Sequence, residues 1–324
     1  MFQQSTRQKE TLRGTIKPNE NLTAENAARA LRVALANADS QVVTDILAKS
    51  TNQQRQEIKS VYKQSCGRDL CDDIKKTFTG NFELLARGLL MKPLEFDAYC
   101  LHKSMIGLGT HESVLIEILV TRSNQEISAI KSIYKEKFGN ELESDIKSDT
   151  SGEFRRLLIS LANGHRKEST DVDVNKAVKD AEKLAKREIS KSEHGEETFN
   201  SIMARESFPQ LKAVFHAYEK LTDRDINSSI KAVFAGDLAD GLLAIVDVVR
   251  NRNAYFANTI MCALKGLTRN DIAIRRIVVT RSEIDLFNIK RAYFSLTNKA
   301  LVEAIETQIC GENKYKKLLL AVIG

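Results

Sequence analysis

The 324-residue chain has no tryptophan and only three prolines, Pro18, Pro93 and Pro209. So few breaks leave long stretches free to be helical. No window approaches the run of about eighteen apolar residues that a spanning helix needs. The opening MFQQSTRQKE also lacks the apolar run of a signal peptide. The expectation is a cytoplasmic chain whose membrane contact is peripheral. Five cysteines (Cys66, Cys71, Cys100, Cys262, Cys310), odd in number and without a CxxC pair, argue against a disulfide framework. A block of one charge is missing too. Forty-nine basic against 43 acidic residues give a net charge of +6, which fits a mild preference for anionic surfaces but not a nucleic-acid partner. Alternating strand patterns joined by hairpin turns are absent, so the fold class is all-α.

What is present is a repeat. Tyr62, Tyr134, Tyr218 and Tyr293 are each followed 18 residues later by a glycine: Gly80, Gly152, Gly236 and Gly311. Each tyrosine is preceded by 12 or 13 positions by a basic residue, Lys49, Arg122, Arg205 or Arg281. The spacing between copies is 72, then 84, then 75 residues. Three landmarks keeping step over four units make a fourfold repeat with a longer second connection. In the second copy Leu115, Ile118 and Leu119 form one apolar stripe, and Ile127, Ile130 and Tyr134 the next. Phe154, Leu157, Leu158 and Leu161 follow at helical spacing, and these stripes predict core. Ser123 with Glu126 reads as a capping box, and Ser207 with Pro209 as a helix start. Each copy thus holds about five short helices. The predicted boundaries are a polar head (1–21), copies at 22–92 and 93–164, a linker (165–174), and copies at 175–251 and 252–324.

One loop stands out. MIGLGTHE, residues 105–112, lies between two apolar helical stretches. Neither a Rossmann turn, which needs a preceding strand and a third glycine, nor a P-loop, which needs GK[ST], is present. A calcium site is open to it, because Ca²⁺ takes backbone carbonyls and Gly107 and Gly109 relax the φ restriction. The carboxylate must come from elsewhere, and KSDTSGEF offers Asp149 three residues before Gly152.

GxGT-x-E, followed about 40 residues later by an acid three positions before glycine, in four helical repeats, resembles the annexin family. The resemblance runs from GTIKPN at Gly14 to the C-terminus and includes TRSEIDLFNIK and SDTSGEF. It implies four five-helix repeats arranged as a curved disc. It also implies a Ca²⁺ ion held by the carbonyls of Met105, Gly107 and Gly109 and the carboxylate of Asp149, with Leu108 touching lipid. A further implication is a central polar channel lined by Asp97, Glu117, Arg122 and Arg276, which we read as salt bridges orienting the two halves. His111 stands where the family usually has Asp and is expected to be an exposed residue of the first helical turn. His102, His165, His194 and His216 lack ligand spacing and are read as surface or packing residues.

The other copies depart from the pattern. The first has no loop glycine, is two residues short and carries Thr77 in place of the acid. The third has Gly195 displaced and Val233, and the fourth keeps Gly266 but has Thr268 and Gln308. A neutral side chain cannot supply the bidentate charge. Asp39, Glu193, Glu196, Glu197 and Asp271 are read as solvated loop acids rather than as minor sites.

The expected function is calcium-dependent, peripheral binding to anionic phospholipid on the inner face of membranes, weaker than in a four-site relative. The alternative is a calcium-independent scaffold acting through basic surface and the head, which is also the place for a protein partner. No nucleophile–base pair, metal triad or phosphate loop suggests an enzyme.

Overall fold

The computed structural model describes residues 11–107, 109–189, 193–265 and 268–324, the side chains of 187–189 and 193–198 excepted. Among these residues there are helices and no strand. The first copy holds α1 (Ala24–Ala36), α2 (Ser40–Ala48), α3 (Asn52–Cys66), α4 (Leu70–Thr77) and α5 (Gly80–Leu90). The second holds α6 (Pro93–Ser104), α7 (Glu112–Thr121), α8 (Asn124–Phe138), α9 (Leu142–Asp149) and α10 (Gly152–Ala162). The third holds α11 (Val174–Ile189), α12 (Glu193–Arg205), α13 (Phe208–Thr222), α14 (Ile226–Val233) and the start of α15 (Gly236–Lys265). The fourth takes the rest of α15, then α16 (Asp271–Arg281), α17 (Leu286–Thr297), α18 (Leu301–Gln308) and α19 (Asn313–Ile323). α15 is two helices end to end: Asn251 leaves the helical region (φ −161°, ψ 100°). Its side chain accepts from the amide of Ala254 at 3.1 Å, capping the second segment. Five helices per copy is therefore the observed plan.

Local chemistry starts and stops these helices. The predicted box before α8 is complete: Ser123 Oγ accepts from Glu126 N, and Glu126 Oε2 accepts from Ser123 N. Gly139 then ends α8 in a left-handed conformation. A second box, Thr51 with Gln54, opens α3. Ser207 caps α13 as predicted, accepting from Gln210 N at 3.3 Å. The repeat tyrosines tie neighbouring helices: Tyr62 donates to Asp73 at 2.8 Å and Tyr134 to Asp145 at 2.6 Å. Burial and the carboxylate push the Tyr62 phenol up to about 12.

Two compact units result. One comprises residues up to Pro93 together with Phe256–Gly324, the other Leu94–Tyr255. In the second unit every residue of the predicted stripes (Leu115, Ile118, Leu119; Ile127, Ile130, Tyr134; Phe154, Leu157, Leu158, Leu161) is buried. His102 is a packing residue, stacked on Phe138 at 3.7 Å between ring centroids and 3.2 Å from the Tyr134 hydroxyl. In the first unit, the described part of the head lies along the fourth copy. Thr15 N and Ile16 N donate to Ser282 O at 2.7 and 3.0 Å, and Phe287 N donates to Arg13 O at 3.0 Å. Among the described residues no helix is long and apolar enough to cross a membrane.

Candidate functional site

The loop after α6 is closed at its neck by the amide of His111 donating to Ser104 O at 2.9 Å. Between these residues Gly107 and Gly109 have φ of 109° and 87°. A Cβ at either would meet nothing within 4 Å, so it is the backbone conformation, not space, that calls for glycine. The carbonyl oxygens of Met105, Gly107 and Gly109 accept no hydrogen bond from a described residue. Gly107 and Gly109 are exposed, and so is Ile106, at 51%. Leu108, the expected lipid contact, lies outside the described residues.

Asp149 ends α9, and the structure brings it to this loop. Thr110 Oγ1 lies 2.6 Å from Asp149 Oδ2, to which it donates, and 3.1 Å from the same residue's carbonyl oxygen. This contact brings Asp149 to the loop at Thr110. Thr110 is the residue sequence reasoning passed over, although its hydroxyl makes the link. The donor set, all oxygen and with one carboxylate, suits a hard cation such as Ca²⁺. Among the described residues no group of three or more His, Cys, Asp or Glu side chains could hold a metal. His111 is exposed at the N-cap of α7 without a capping bond, and Glu112 occupies the first turn.

The damaged copies differ from one another. In the first, the neck bond runs from Asp39 N to Ala34 O, closing five residues where the second copy closes seven. Asp39 caps α2 through Gln41 N and Val42 N. Thr77 points its hydroxyl at Leu35 O, 3.4 Å away, placing a donor on the carbonyl in the register where a cation would need an acid. In the fourth copy the neck is again seven residues, Asn270 N to Ala263 O. Here Asp271 is not a solvated loop acid. The guanidinium of Arg269 grips both its oxygens at 2.8 Å and reaches Glu312 at 2.6 Å. Asn81 donates to both acids. Hydrogen bonding to Asp271, above all, holds the Arg269 pKa above its ordinary value. The side chains of the third copy's loop acids, Glu193, Glu196 and Glu197, and residues 190–192 and 266–267, lie outside what is described.

Of the four polar positions grouped from sequence, Asp97 and Arg122 meet in a bidentate pair at 2.6 and 2.8 Å, both buried. Burial opposes the Arg122 charge, but the Asp97 carboxylate overcomes it and raises the pKa. Glu117, fully buried on α7, adds to the same effect. Arg276 is buried on α16 and belongs to the other unit.

The family model described as Annexin matches this chain four times, at residues 26–89, 96–161, 179–245 and 255–322. Annexin A7 of Homo sapiens is 43% identical over 313 residues, covering 96% of this chain and 64% of that protein. The chain therefore spans somewhat less than two thirds of that relative. Among solved structures, annexin III superposes with a TM-score of 0.93 at 38% identity, covering 97% of this chain and 98% of that one. Annexin (Sm)1 in a calcium-bound form superposes with a TM-score of 0.82 at 27% identity, covering 97% and 93%.

Proposed function

The chain belongs to the annexin family, proteins that bind calcium and anionic phospholipid membranes and are not enzymes, and from that premise we propose that its calcium-dependent membrane binding runs through the loop of the second copy. The carbonyl oxygens of Met105, Gly107 and Gly109 and the carboxylate of Asp149 hold the ion. A bound Ca²⁺ would supply positive charge at the protein surface toward an anionic lipid headgroup. Leu108 and the exposed Ile106 meet the bilayer, and Thr110 holds the Asp149 carboxylate against the loop. One observation carries this reading: the Thr110–Asp149 contact, which joins an exposed two-glycine loop to an acid 39 residues further on.

With one such loop in place of four, avidity falls and binding is weaker than in a four-site relative. The chain acts at the cytoplasmic face of membranes when calcium rises, and residues of the head beyond the described part take a protein partner. The buried Asp97–Arg122 pair fixes α6 against the corner between α7 and α8 rather than conducting ions. The second reading, calcium-independent docking, draws its support from the fourth copy, where Arg269 already neutralises the acids.

Cosedimentation with phosphatidylserine vesicles, with Ca²⁺ or with EDTA, tests the assignment. Wild type should pellet with calcium, and Asp149→Ala should lose that response. Pelleting that ignores calcium would leave the scaffold reading in its place, while a full response in the variant would move the site to another loop.

A further inference from the structure

A cleft of about 970 Å³ opens beside the second copy's last helix, wholly within the second compact unit. Five cations line it, Lys147, Arg155, Arg156, Lys183 and Arg205, against one carboxylate, Glu153, with Lys183 also paired with Asp180 at 3.0 Å. That carboxylate is already ion-paired with Arg156 at 2.6 Å and accepts a hydrogen bond from the Asn200 amide at 3.2 Å. Lys147 and Arg205 have no ion-pair partner among the described residues. Arg155 is held in place, its Nε donating to Thr150 O at 2.7 Å. The serine hydroxyls of Ser160 and Ser201 complete a lining that is polar as well as basic.

The repeat does not require this charge. In the glycine register, the place of Arg155 is taken by Glu83, Ala239 and Lys314 in the other copies, and that of Arg156 by Leu84, Asp240 and Tyr315. A concave site with converging, partly preoriented guanidinium and ammonium groups is suited to a ligand of high anionic charge density. Arginine forks match phosphate oxygens, and lysines supply point charge. Its size exceeds what a single phosphate would fill.

We propose that this cleft binds an anion carrying two or more phosphate groups, independently of calcium. It lies beyond the loop site in function, though near it in sequence, since Lys147 is two residues from Asp149. The binding therefore persists in EDTA and in Asp149→Ala, which separates its failure from failure of the calcium reading.

The test is calorimetric titration of the full chain with inositol 1,4,5-trisphosphate in EDTA. Wild type and Asp149→Ala should bind alike. Lys147→Glu with Arg205→Glu should weaken binding by roughly tenfold or more per cation removed. Lys147→Arg with Arg205→Lys should retain it. Lys63→Glu with Lys299→Glu, which changes the net charge equally at exposed positions elsewhere, should also bind normally. A second arm uses phosphatidylcholine vesicles with and without phosphatidylinositol 4,5-bisphosphate. Pelleting only with the latter assigns the ligand to a lipid headgroup, and titration without pelleting assigns it to a free polyphosphate. No titration in wild type, or equal weakening by the cleft and the distant charge reversals, overturns the proposal.

Discussion

At residue 110 a hydroxyl, and at residue 149 a carboxylate, meet at 2.6 Å across a loop whose two glycines hold φ of 109° and 87°. Each part has a separate failure mode. A β-branched side chain at 109 finds open space but a forbidden backbone, so Gly109→Val should distort the loop without filling a cavity. The left-handed conformation costs such a residue roughly 1–2 kcal/mol. About a tenfold rise in the calcium needed for half-maximal vesicle binding is expected, with an unchanged melting temperature. A melting temperature that falls with the binding would show instead that the loop is part of the folding core. Asp149 was singled out by its place three residues before the repeat glycine Gly152. Thr110 was not, because a threonine inside a glycine-rich turn carries no mark of the partner it will find 39 residues on.

Helix by helix, most of the plan could be read in advance, since apolar stripes at helical spacing and a Ser–Glu box act locally. Pairings between helices could not. Asp97 was grouped with Arg122 on resemblance, but the bidentate bond that joins them depends on how α6 meets the corner after α7. Both partners are buried, so Asp97→Ala strands a guanidinium away from water. It should cost roughly 3–5 kcal/mol, measured as the urea midpoint and slope. A loss below about 1 kcal/mol would show that the guanidinium reaches solvent.

His102, on α6, stacks against Phe138 of α8, and burial is the main cause lowering its pKa below the ordinary histidine value. Lys103 lowers it further, while Asp145 opposes the shift. As pH falls below about 6.5 the unfolded chain takes up this proton before the folded one. Stability is therefore lost through the interval below that value and unaffected above it. Wild type should lose more stability than His102→Phe between about pH 7.5 and 5.5. Equal losses would place the titration elsewhere.

On the scale of the whole molecule, the repeat register made the fourfold plan legible long before any side-chain contact. The degraded loops were legible only as losses, since what replaced them is three-dimensional. Arg269 with Asp271, Glu312 and Asn81 come from three separate stretches of chain, and the basic cleft draws on α9, α10, α11 and α12. A single working loop, as proposed, would have a measurable signature. Vesicle binding against free calcium should rise with a Hill slope of about one, since cooperativity cannot exceed the number of sites engaged. A slope near three or four would mean that other loops take part.

The arginine in the fourth copy has a consequence for signalling. Its positive charge is covalently attached and does not titrate near neutral pH, so no change in ionic conditions short of unfolding withdraws it. If the calcium response runs through the second copy's loop, as proposed, a reporter dye placed on α16 should stay silent through a calcium pulse that one placed beside α9 records.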